Sequence, residues 1–464
     1  MQGSIRNTFL FFLLLFLLLL VWLTYIQVWA APGLNRNPRN TRALEQQMRI
    51  ERGEIVTADG LPLVVNRREG PYYLRDYPQG SLASPWLGYA HPRYGLAGLE
   101  AAYNPELSGE ADASVLDNFV GTVLGREKSG ADLVLTIDSA VQRAAETTLG
   151  DRVGAVVALD PATGAVLAMA SSPRYDPRLL SQAWERLSTD EGGPLLNRGT
   201  RGLYPPGSVF KILVAASALE ERSITPESGF KDEGSWNAGG FVVRNYGDET
   251  FGQHDALTAF TKSINTTFAK IGVGLGATTL NAYVDAFGWR EDPGLRLQTE
   301  ASQFPDADEM DVAHLAQASF GQGEVLATPM HMALVAGAVA TDGSIMRPFL
   351  VQRVVASSGV TLSEARPSVW KHPVSAETAL TLRGMMREAV VSGTGTAAAI
   401  SGVQVAGKTG TAEVADGLPH AWFVGFAPVE APQVVVAAVV EHGGTGGKVA
   451  APIVRTVIQA ALNR

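Results

Sequence analysis

The strongest constraint on this chain is an apolar run near its N-terminus. From Phe9 to Ala31 nearly every residue is apolar. Twenty helical residues at a rise of 1.5 Å span roughly 30 Å, the thickness of the hydrocarbon layer of a membrane. The run therefore predicts a transmembrane anchor over residues 9–31, preceded by a short cytoplasmic tail at residues 1–8. A cleaved signal peptide ending near Val28-Trp29-Ala30 is the alternative, although its apolar stretch would be unusually long.

Length and composition limit the kinds of domain that the rest of the chain can form. The chain has 464 residues, so two or three folded units are expected, and 46% hydrophobic residues indicate a globular protein. It contains no cysteine, which excludes disulfides, thiolate metal sites and a cysteine nucleophile. A net charge of −9 without a basic block argues against nucleic-acid binding. The seven histidines show no paired ligand spacing, so neither a metal nor another cofactor is expected.

The first unit after the anchor, residues 32–150, carries no catalytic pattern and is interpreted as a pedestal. Residues 32–49 are polar, rich in arginine and interrupted by proline, which is typical of a linker. No periodicity stands out between residues 67 and 97. The elements predicted in this unit are a hairpin over 50–66 with its turn at Ala58-Asp59-Gly60, a short helix at Gly98–Leu107, a strand at Asp132–Asp138 and a helix at Ser139–Leu149.

The second unit, residues 151–464, begins with a hairpin and carries further strands near its end. Its predicted strands are Val153–Asp160, Ala165–Ser171, Val403–Glu413, Ala421–Ala427 and Gln433–Val440. A helix at Ser208–Arg222 is apolar on nearly every face, as expected at the centre of a domain, and another helix is predicted at Ala450–Leu462. This order predicts an α+β fold in which one antiparallel sheet is covered by helices.

Ser208 and Lys211 form the first of three short motifs with chemical meaning. Pro205-Pro206-Gly207 forces a turn just before the serine, and Lys211 lies one helical turn later on the same face. A lysine buried in an apolar helix has a lowered pKa, and its neutral amine can accept a proton. A serine beside such an amine can act as a nucleophile without a histidine. Taken alone, the pattern also fits a helix cap with a solvated lysine.

The other two motifs are Ser263-Ile264-Asn265 and Lys408-Thr409-Gly410. The second lies on the predicted strand Val403–Glu413, where Lys408 offers a cation and Thr409 a hydroxyl to a carboxylate. Gly410 removes a side chain where a peptide could lie along a strand edge. Each motif alone is weak, and Lys408-Thr409-Gly410 also fits an ordinary end of a strand. The three motifs in this order favour one shared active site.

These motifs resemble those of the penicillin-binding protein and serine β-lactamase superfamily. More closely, the chain resembles class B penicillin-binding proteins of the short penicillin-binding protein A subgroup. The segments that carry the resemblance are Arg52–Ile55, Gly98–Gly109, Leu135–Gln142, Gly154–Pro177, Asn197–Lys211, Phe320–Pro329 (FGQGEVLATP), Ser392–Ala397 (SGTGTA), Gly407–Glu413 (GKTGTAE) and Ala421–Pro428. The resemblance implies a sheet sandwiched by helices, with an all-helical lobe, a small α+β pedestal and one N-terminal transmembrane helix.

The resemblance also implies a role for each motif residue. Ser208 is expected to attack a D-Ala-D-Ala stem peptide and form an acyl-enzyme. Lys211 is expected to accept its proton, and Ser263 to protonate the departing D-Ala. The backbone N–H groups of Ser208 and Thr411 would form the oxyanion hole. Substrate-binding roles are implied for Asn265, Lys408, Thr409, Gly410 and Thr411.

The implied function is that of a monofunctional peptidoglycan D,D-transpeptidase, without glycosyltransferase activity, that β-lactams acylate. Because its substrate lies beyond the cytoplasmic membrane, the catalytic unit is expected outside that membrane on a single-pass anchor. The arginines around the anchor, counted naively, would favour the opposite orientation. The pedestal is expected to dock a SEDS-type glycan polymerase. The sequence leaves open whether the enzyme serves elongation or division, which amine it accepts and its oligomeric state.

Two other functions are alternatives. A β-lactam-hydrolysing enzyme would need a base that aims water, yet no glutamate between Ser263 and Lys408 fits the ExxLN pattern expected of that base. The glutamates that fail it are Glu291, Glu300, Glu309, Glu324, Glu364, Glu377 and Glu388. A β-lactam sensor would need a cytosolic effector, which residues 1–8 are too few to form. A non-catalytic scaffold would not need all three motifs.

Three further features receive structural interpretations. Gly443–Lys448 resembles part of a phosphate-binding loop but lacks its flanking residues, so a turn near the cleft is expected. His254 and His420 could approach the cleft, but neither is expected to be catalytic. Trp422 and Phe423 are expected to be core residues.

Overall fold

The computed structural model describes residues 2–30, 48–110 and 129–464 of the chain. At the N-terminus a helix runs from Gln2 to Thr24 and continues as a π-helix from Tyr25 to Ala30. The segment Ile5–Val28 is long and apolar enough to cross a membrane, with a mean hydropathy of 2.8, and it is not packed inside the protein. This agrees with the predicted anchor. Most of the linker predicted at 32–49 lies outside the described residues.

The pedestal is built on a six-stranded sheet. The predicted hairpin over 50–66 is present, because Ile55 pairs with Val64 and Gly60 N donates to Thr57 O at the turn. Its second strand is longer than predicted and pairs with a strand in the stretch where the sequence shows no periodicity. In order across the sheet, the strands are Thr361–Glu364, Val351–Val355, Asp132–Leu135, Ile55–Val56, Pro62–Glu69 and Tyr72–Asp76.

Two strands of the pedestal sheet come from residues 151–464, here called the catalytic half because the three predicted motifs lie in it. Val351–Val355 pairs with Asp132–Leu135 in antiparallel orientation, and Thr361–Glu364 extends the sheet beyond it. Side chains add to this connection, since Arg296 of the catalytic half donates to Glu106 of the pedestal over 2.9 Å. The predicted division between residues 150 and 151 therefore does not separate two independent sheets.

The predicted helix Gly98–Leu107 is two short helices, Gly98–Ala102 and Asn104–Leu107. The reason is Pro105, which has no N–H to donate four residues back and whose ring would clash with the preceding turn. The predicted helix Ser139–Leu149 is confirmed, and the Asp138 carboxylate caps its start. Further elements of the pedestal are a helix at Ser84–Leu87 and a ribbon of Tyr89–His91 with Gly95–Ala97.

The catalytic half is organised around a five-stranded antiparallel sheet, here called the central sheet. Both predicted hairpins are present, whereas the predicted strand Val403–Glu413 is shorter at both ends. Alternate residues face opposite sides, so that Trp422 is buried in one apolar cluster and Phe423 in the other. In order, the strands are Ala406–Ala412, His420–Ala427, Val434–Val440, Gly154–Leu159 and Val166–Ser172.

Helices cover both faces of the central sheet, as predicted. The helices Ser139–Leu149 and Gly446–Leu462 share the apolar cluster of Phe423. The helices Lys211–Glu220 and Pro329–Ala340 share that of Trp422. The C-terminal helix begins at Gly446 rather than at Ala450, so the end of the predicted glycine turn is helical.

The helical lobe beside the sheet contains two short ribbons in addition to helices. One pairs Gly229–Asp232 with Gly252–Asp255, and the other pairs Ser235–Ala238 with Phe241–Arg244. Gly239 has a φ of 59°, a conformation that suits the tight turn of the second ribbon. Residues 234–251, which carry this ribbon, are called the flap. Further helices of the catalytic half are Leu180–Thr189, Arg198–Arg201, Ala256–Lys262, Asn265–Leu275, Ala277–Ala286, Val312–Ala318 and Ala376–Val391, with a ribbon of Ile345–Met346 and Val369–Lys371.

Candidate active site

Ser208 lies in a 3-10 turn, Gly207–Phe210, that leads directly into the helix Lys211–Glu220. Gly207 has a φ of 54°, which favours glycine, and a Cβ there would lie 2.8 Å from Thr411 O. Glycine therefore lets the serine turn approach the strand Ala406–Ala412, here called the KTG strand. The turn that the sequence predicts before Ser208 is present.

Lys211 is fully buried at the start of this helix. Its Nζ donates to Ser263 O and to Asn265 Oδ1, each over 2.8 Å, and lies 3.3 Å from Ser263 Oγ. The ring of Phe268 lies 5.2 Å from the same nitrogen. The fold thus brings the first and second sequence motifs together around one amine.

Lys408 on the KTG strand is also fully buried. Its Nζ donates to Ser263 Oγ over 2.8 Å and to Thr409 O over 3.2 Å. The third motif therefore meets the other two at the Ser263 hydroxyl, which lies within reach of both lysine amines.

The backbone at Ser263 explains how one short motif reaches both lysines. Ser263 ends the helix Ala256–Lys262 in the left-handed region, with φ 60° and ψ 43°, and the next helix begins at Asn265. Such a conformation is uncommon for a residue other than glycine. The Asn265 side chain is fixed from the other side, since its Nδ2 donates to Arg244 O of the flap over 3.0 Å.

Burial lowers the pKa of both amines. The pKa of Lys211 lies well below its ordinary value of 10.5, first because the charged form is desolvated and second because Lys408 repels it. Burial lowers the pKa of Lys408 to about 7. A water-excluded pair of amines can therefore supply an uncharged nitrogen near neutral pH, which a general base requires.

The motif residues border a cleft of about 1120 Å³ between the KTG strand and the helical lobe. The polar motif side chains along it are Ser208, Ser263, Asn265, Thr409 and Thr411. The buried amines of Lys211 and Lys408 lie behind this wall. Lys408 is expected from the sequence to bind a carboxylate, but its Nζ contacts Ser263 and Thr409 O here, so its charge acts on the cleft from behind.

Several residues along the cleft are not singled out by the sequence motifs. Thr394 lies in the SGTGTA segment, and its hydroxyl is 2.5 Å from that of Thr409. Glu413 lies in the GKTGTAE segment just beyond the KTG strand. The flap has no motif that could have revealed it. Its residues along the cleft are Phe241, Val242, Val243, Arg244, Asn245, Tyr246, Gly247, Asp248, Glu249 and Phe251.

His254 and His420 have structural surroundings, and so does the segment Gly443–Lys448, here called the glycine loop. His254 Nε2 pairs with Thr267 Oγ1 over 2.8 Å, and His420 Nδ1 accepts from His442 N over 3.1 Å; neither histidine borders the cleft. The glycine loop ends at the cleft, where Lys448 is part of the wall. Within residues 2–30, 48–110 and 129–464, no group of three or more His, Asp and Glu side chains could hold a metal ion.

Ser208 borders the cleft and Lys211 is buried three residues later, an arrangement that serine enzymes of acyl transfer can use. Residues 154–459 match the family model of the penicillin-binding protein transpeptidase domain, and residues 52–133 match that of the penicillin-binding protein A dimerisation domain. The chain belongs to the penicillin-binding protein transpeptidase family.

Relatives are similar over the whole chain. It is 36% identical to the peptidoglycan D,D-transpeptidase PbpA of Mycolicibacterium smegmatis, covering 100% of this chain and 99% of the relative. The ceftriaxone acyl-enzyme complex of penicillin-binding protein A from Mycobacterium tuberculosis superposes with a TM-score of 0.85 at 34% identity, covering 90% of this chain and 99% of that one. The D,D-transpeptidase domain of a peptidoglycan glycosyltransferase from Eggerthella lenta gives a TM-score of 0.83 at 37% identity, covering 89% of this chain and 99% of that one.

Proposed function

We propose that this protein is a membrane-anchored peptidoglycan D,D-transpeptidase that works through an acyl-enzyme on Ser208. The observation that carries the proposal is the meeting of Lys211, Ser263 and Lys408 beside a cleft that Ser208 borders. The relatives named peptidoglycan D,D-transpeptidase support the reaction, and the acyl-enzyme complexes of penicillin-binding protein A support covalent capture of β-lactams.

Acylation begins when Ser208 Oγ attacks the carbonyl carbon of the penultimate D-Ala. As the oxygen–carbon bond forms, the proton of Ser208 passes to the neutral amine of Lys211. The backbone N–H groups of Ser208 and Thr411 stabilise the oxyanion, a contribution of about 10²–10³ in rate for one donor. The carbon–nitrogen bond to the terminal D-Ala then breaks, and Ser263 relays to the leaving amine the proton that Lys211 took from Ser208. Lys408, bonded to Ser263 Oγ, favours this transfer.

Substrate binding uses the edge of the KTG strand. Thr409 offers its hydroxyl to the terminal carboxylate, and the charge of Lys408 behind it adds attraction. The Asn265 amide binds the peptide amide. Gly410 is not among the residues that border the cleft. A Cβ there would lie 2.9 Å from Pro206 O, so the missing side chain lets the strand pack closely against the turn that carries Ser208, rather than making room for the peptide as the sequence suggests.

The second half-reaction distinguishes transfer from hydrolysis. An amine from a neighbouring stem peptide attacks the ester carbon and the bond to Ser208 Oγ breaks. The proton that the amine loses passes to Ser208 as the cross-link forms. None of the seven glutamates that lack the ExxLN pattern borders the cleft. Glu249 and Glu413 do border the cleft, but neither belongs to an ExxLN pattern, so we expect water to attack slowly and acylation by β-lactams to last.

The same proposal covers topology and domains. The helix Ile5–Val28 anchors the protein once in the cytoplasmic membrane, and residues 32–464 lie on the outer side, where the substrate is. Residues 32–150 form the pedestal, to which residues 351–364 add two strands, and residues 151–464 form the transpeptidase unit. The protein makes no glycan itself, and its pedestal docks a SEDS-type glycan polymerase. A variant lacking residues 32–150 should then fail to co-purify with that polymerase from membranes.

The activity is tested with purified full-length protein, a stem peptide ending in D-Ala-D-Ala and an acceptor amine. The expected result is release of one D-Ala for each cross-linked product, with little hydrolysed peptide. Rapid turnover of penicillin without peptide transfer would instead favour a β-lactam-hydrolysing enzyme. If neither cross-linked nor hydrolysed product forms with any acceptor amine, the result would favour a non-catalytic scaffold.

A further inference from the structure

Glu413 is a charged residue of the cleft wall that the proposed mechanism does not use. It lies directly after the KTG strand and is exposed. Among the described residues, its carboxylate has no hydrogen bond or ion pair. Other charges of the wall are paired, since Arg244 and Asp248 of the flap face each other at 3.5 Å and Lys262 donates to Ser392 O over 3.0 Å. Among the described residues, the Glu249 carboxylate of the flap, like that of Glu413, has no partner.

Glu413 continues the row of cleft residues that the strand begins. Thr409 and Thr411, two residues apart on the strand, border the cleft, and Glu413, the first residue beyond the strand, borders it as well. The KTG strand is also an edge strand of the central sheet, so its outer side is free to pair with a peptide. From Thr409 to Glu413 the chain advances roughly 13 Å at 3.3 Å per residue.

Charges are separated along this line. At the Thr409 end lie Lys408, bonded to Thr409 O, and the segment before Lys448, since a Cβ on Gly447 would lie 3.6 Å from Thr409 Cγ2. At the other end lies Glu413. A bound peptide therefore meets positive charge at one end of the strand and negative charge at the other.

The direction of the peptide follows from the proposed function, on which this inference rests. Its terminal carboxylate lies at Thr409 and its reacting carbonyl at Ser208 and Thr411, one residue further along the peptide. Continuing the same way, the residue that precedes the reacting D-Ala comes opposite Glu413. We infer that Glu413 is a specificity-determining residue that selects donor peptides with a cationic group just before D-Ala-D-Ala and disfavours anionic ones.

The sharpest test uses three penicillins that differ in one substituent on the same acyl side chain. Benzylpenicillin carries hydrogen there, ampicillin an ammonium group and carbenicillin a carboxylate. Second-order rates of acylation are measured on the full-length protein at a pH where the amine of ampicillin is protonated. Two lysyl-D-Ala-D-Ala peptides, one with its side-chain amine free and one with it acetylated, repeat the comparison with peptide donors.

The wild-type protein should react faster with ampicillin than with carbenicillin, each relative to benzylpenicillin. Glu413→Gln should narrow that ratio by about two- to tenfold, because exposed ion pairs contribute modestly. Added salt should narrow the wild-type ratio in the same direction. The matched control Glu430→Gln removes an exposed carboxylate away from the cleft and should leave the ratio unchanged.

An unchanged ratio in Glu413→Gln, with no salt effect in the wild-type protein, would overturn the inference. The inference would also be overturned if the ratio of the ampicillin and carbenicillin rates narrowed in the flap variant Glu249→Gln but not in Glu413→Gln. A different result would contradict the proposed function itself, namely that benzylpenicillin does not acylate Ser208 at all.

Discussion

Lys408 Nζ donates a hydrogen bond of 2.8 Å to the hydroxyl of Ser263, although the two residues are 145 positions apart in the chain. Lys211 Nζ contacts the same residue through its carbonyl oxygen. The two buried amines thus share one partner, and their protonation is coupled. This coupling gives a first prediction, about pH.

Lys408→Met should shift the pH dependence of acylation. The positive charge of Lys408 is one cause of the low pKa of Lys211, so its removal raises that pKa toward the ordinary value. Acylation needs the neutral amine of Lys211, and its rate rises with pH through that pKa. The acid limb of the pH profile for benzylpenicillin should therefore move to higher pH. Lys231→Met, which removes an exposed lysine paired with Glu233, should leave the limb in place. If the acid limb lies at the same pH in Lys408→Met and Lys231→Met, the coupling between the two buried amines is contradicted.

Thr394 should support the carboxylate-binding hydroxyl. Its Oγ1 lies 2.5 Å from that of Thr409, so Thr394 can donate to Thr409 and leave the Thr409 proton for the ligand. Thr394→Val should slow acylation by benzylpenicillin about 2- to 10-fold, the range for one hydrogen bond. The methyl ester of benzylpenicillin lacks the carboxylate charge, so its acylation rate should fall less. Thr394→Ser keeps the hydroxyl and should restore the rate. Equal losses with the acid and the ester would assign Thr394 a general packing role.

Gly207→Ala should impair acylation through the backbone. The new Cβ would lie 2.8 Å from Thr411 O at a φ of 54°, which pushes the serine turn away from the KTG strand. We expect at least a tenfold loss in the acylation rate, since about 1–3 kcal/mol of strain falls on the reaction centre. Gly240→Ala is the control, because it also has a positive φ but has no atom within 4 Å of its Cβ position. Similar losses in both variants would contradict the steric argument.

The three motifs are read directly from the sequence. Most elements of the central sheet can be predicted from it as well, because they depend on short periodicities and turns. The tertiary pairing of distant segments is not visible in it. The strand Val351–Val355 joins the pedestal sheet through a pairing with Asp132–Leu135, and no local pattern encodes that register. Likewise, the contact between Thr394 and Thr409 depends on how a helix end meets the KTG strand. The resemblance, rather than spacing, is what assigns roles to Asn265 and Thr411.

Asp232 should stabilise the flap and the helix that begins at Asn265. The residue is 1% exposed. It accepts hydrogen bonds from Gly234 N, Phe251 N, Asn245 Nδ2 and Thr266 Oγ1. Asp232→Ala leaves these donors without their acceptor and should lower the free energy of unfolding by about 2–4 kcal/mol.

Chemical denaturation of the detergent-solubilised protein measures this loss. Asp248→Ala, which removes an exposed flap carboxylate 3.5 Å from Arg244, is the control and should change stability by less than about 1 kcal/mol. A loss in Asp232→Ala no larger than in this control would contradict a structural role for the buried carboxylate.

The central claim is that Ser208 carries the covalent intermediate, and labelling with a fluorescent penicillin tests it most directly. The purified wild-type protein should take up one label that survives denaturation, and its intact mass should rise by the mass of one penicillin. Ser208→Ala should show neither the label nor the added mass while its unfolding curve stays that of a folded protein. Label retained by a folded Ser208→Ala protein would contradict the account.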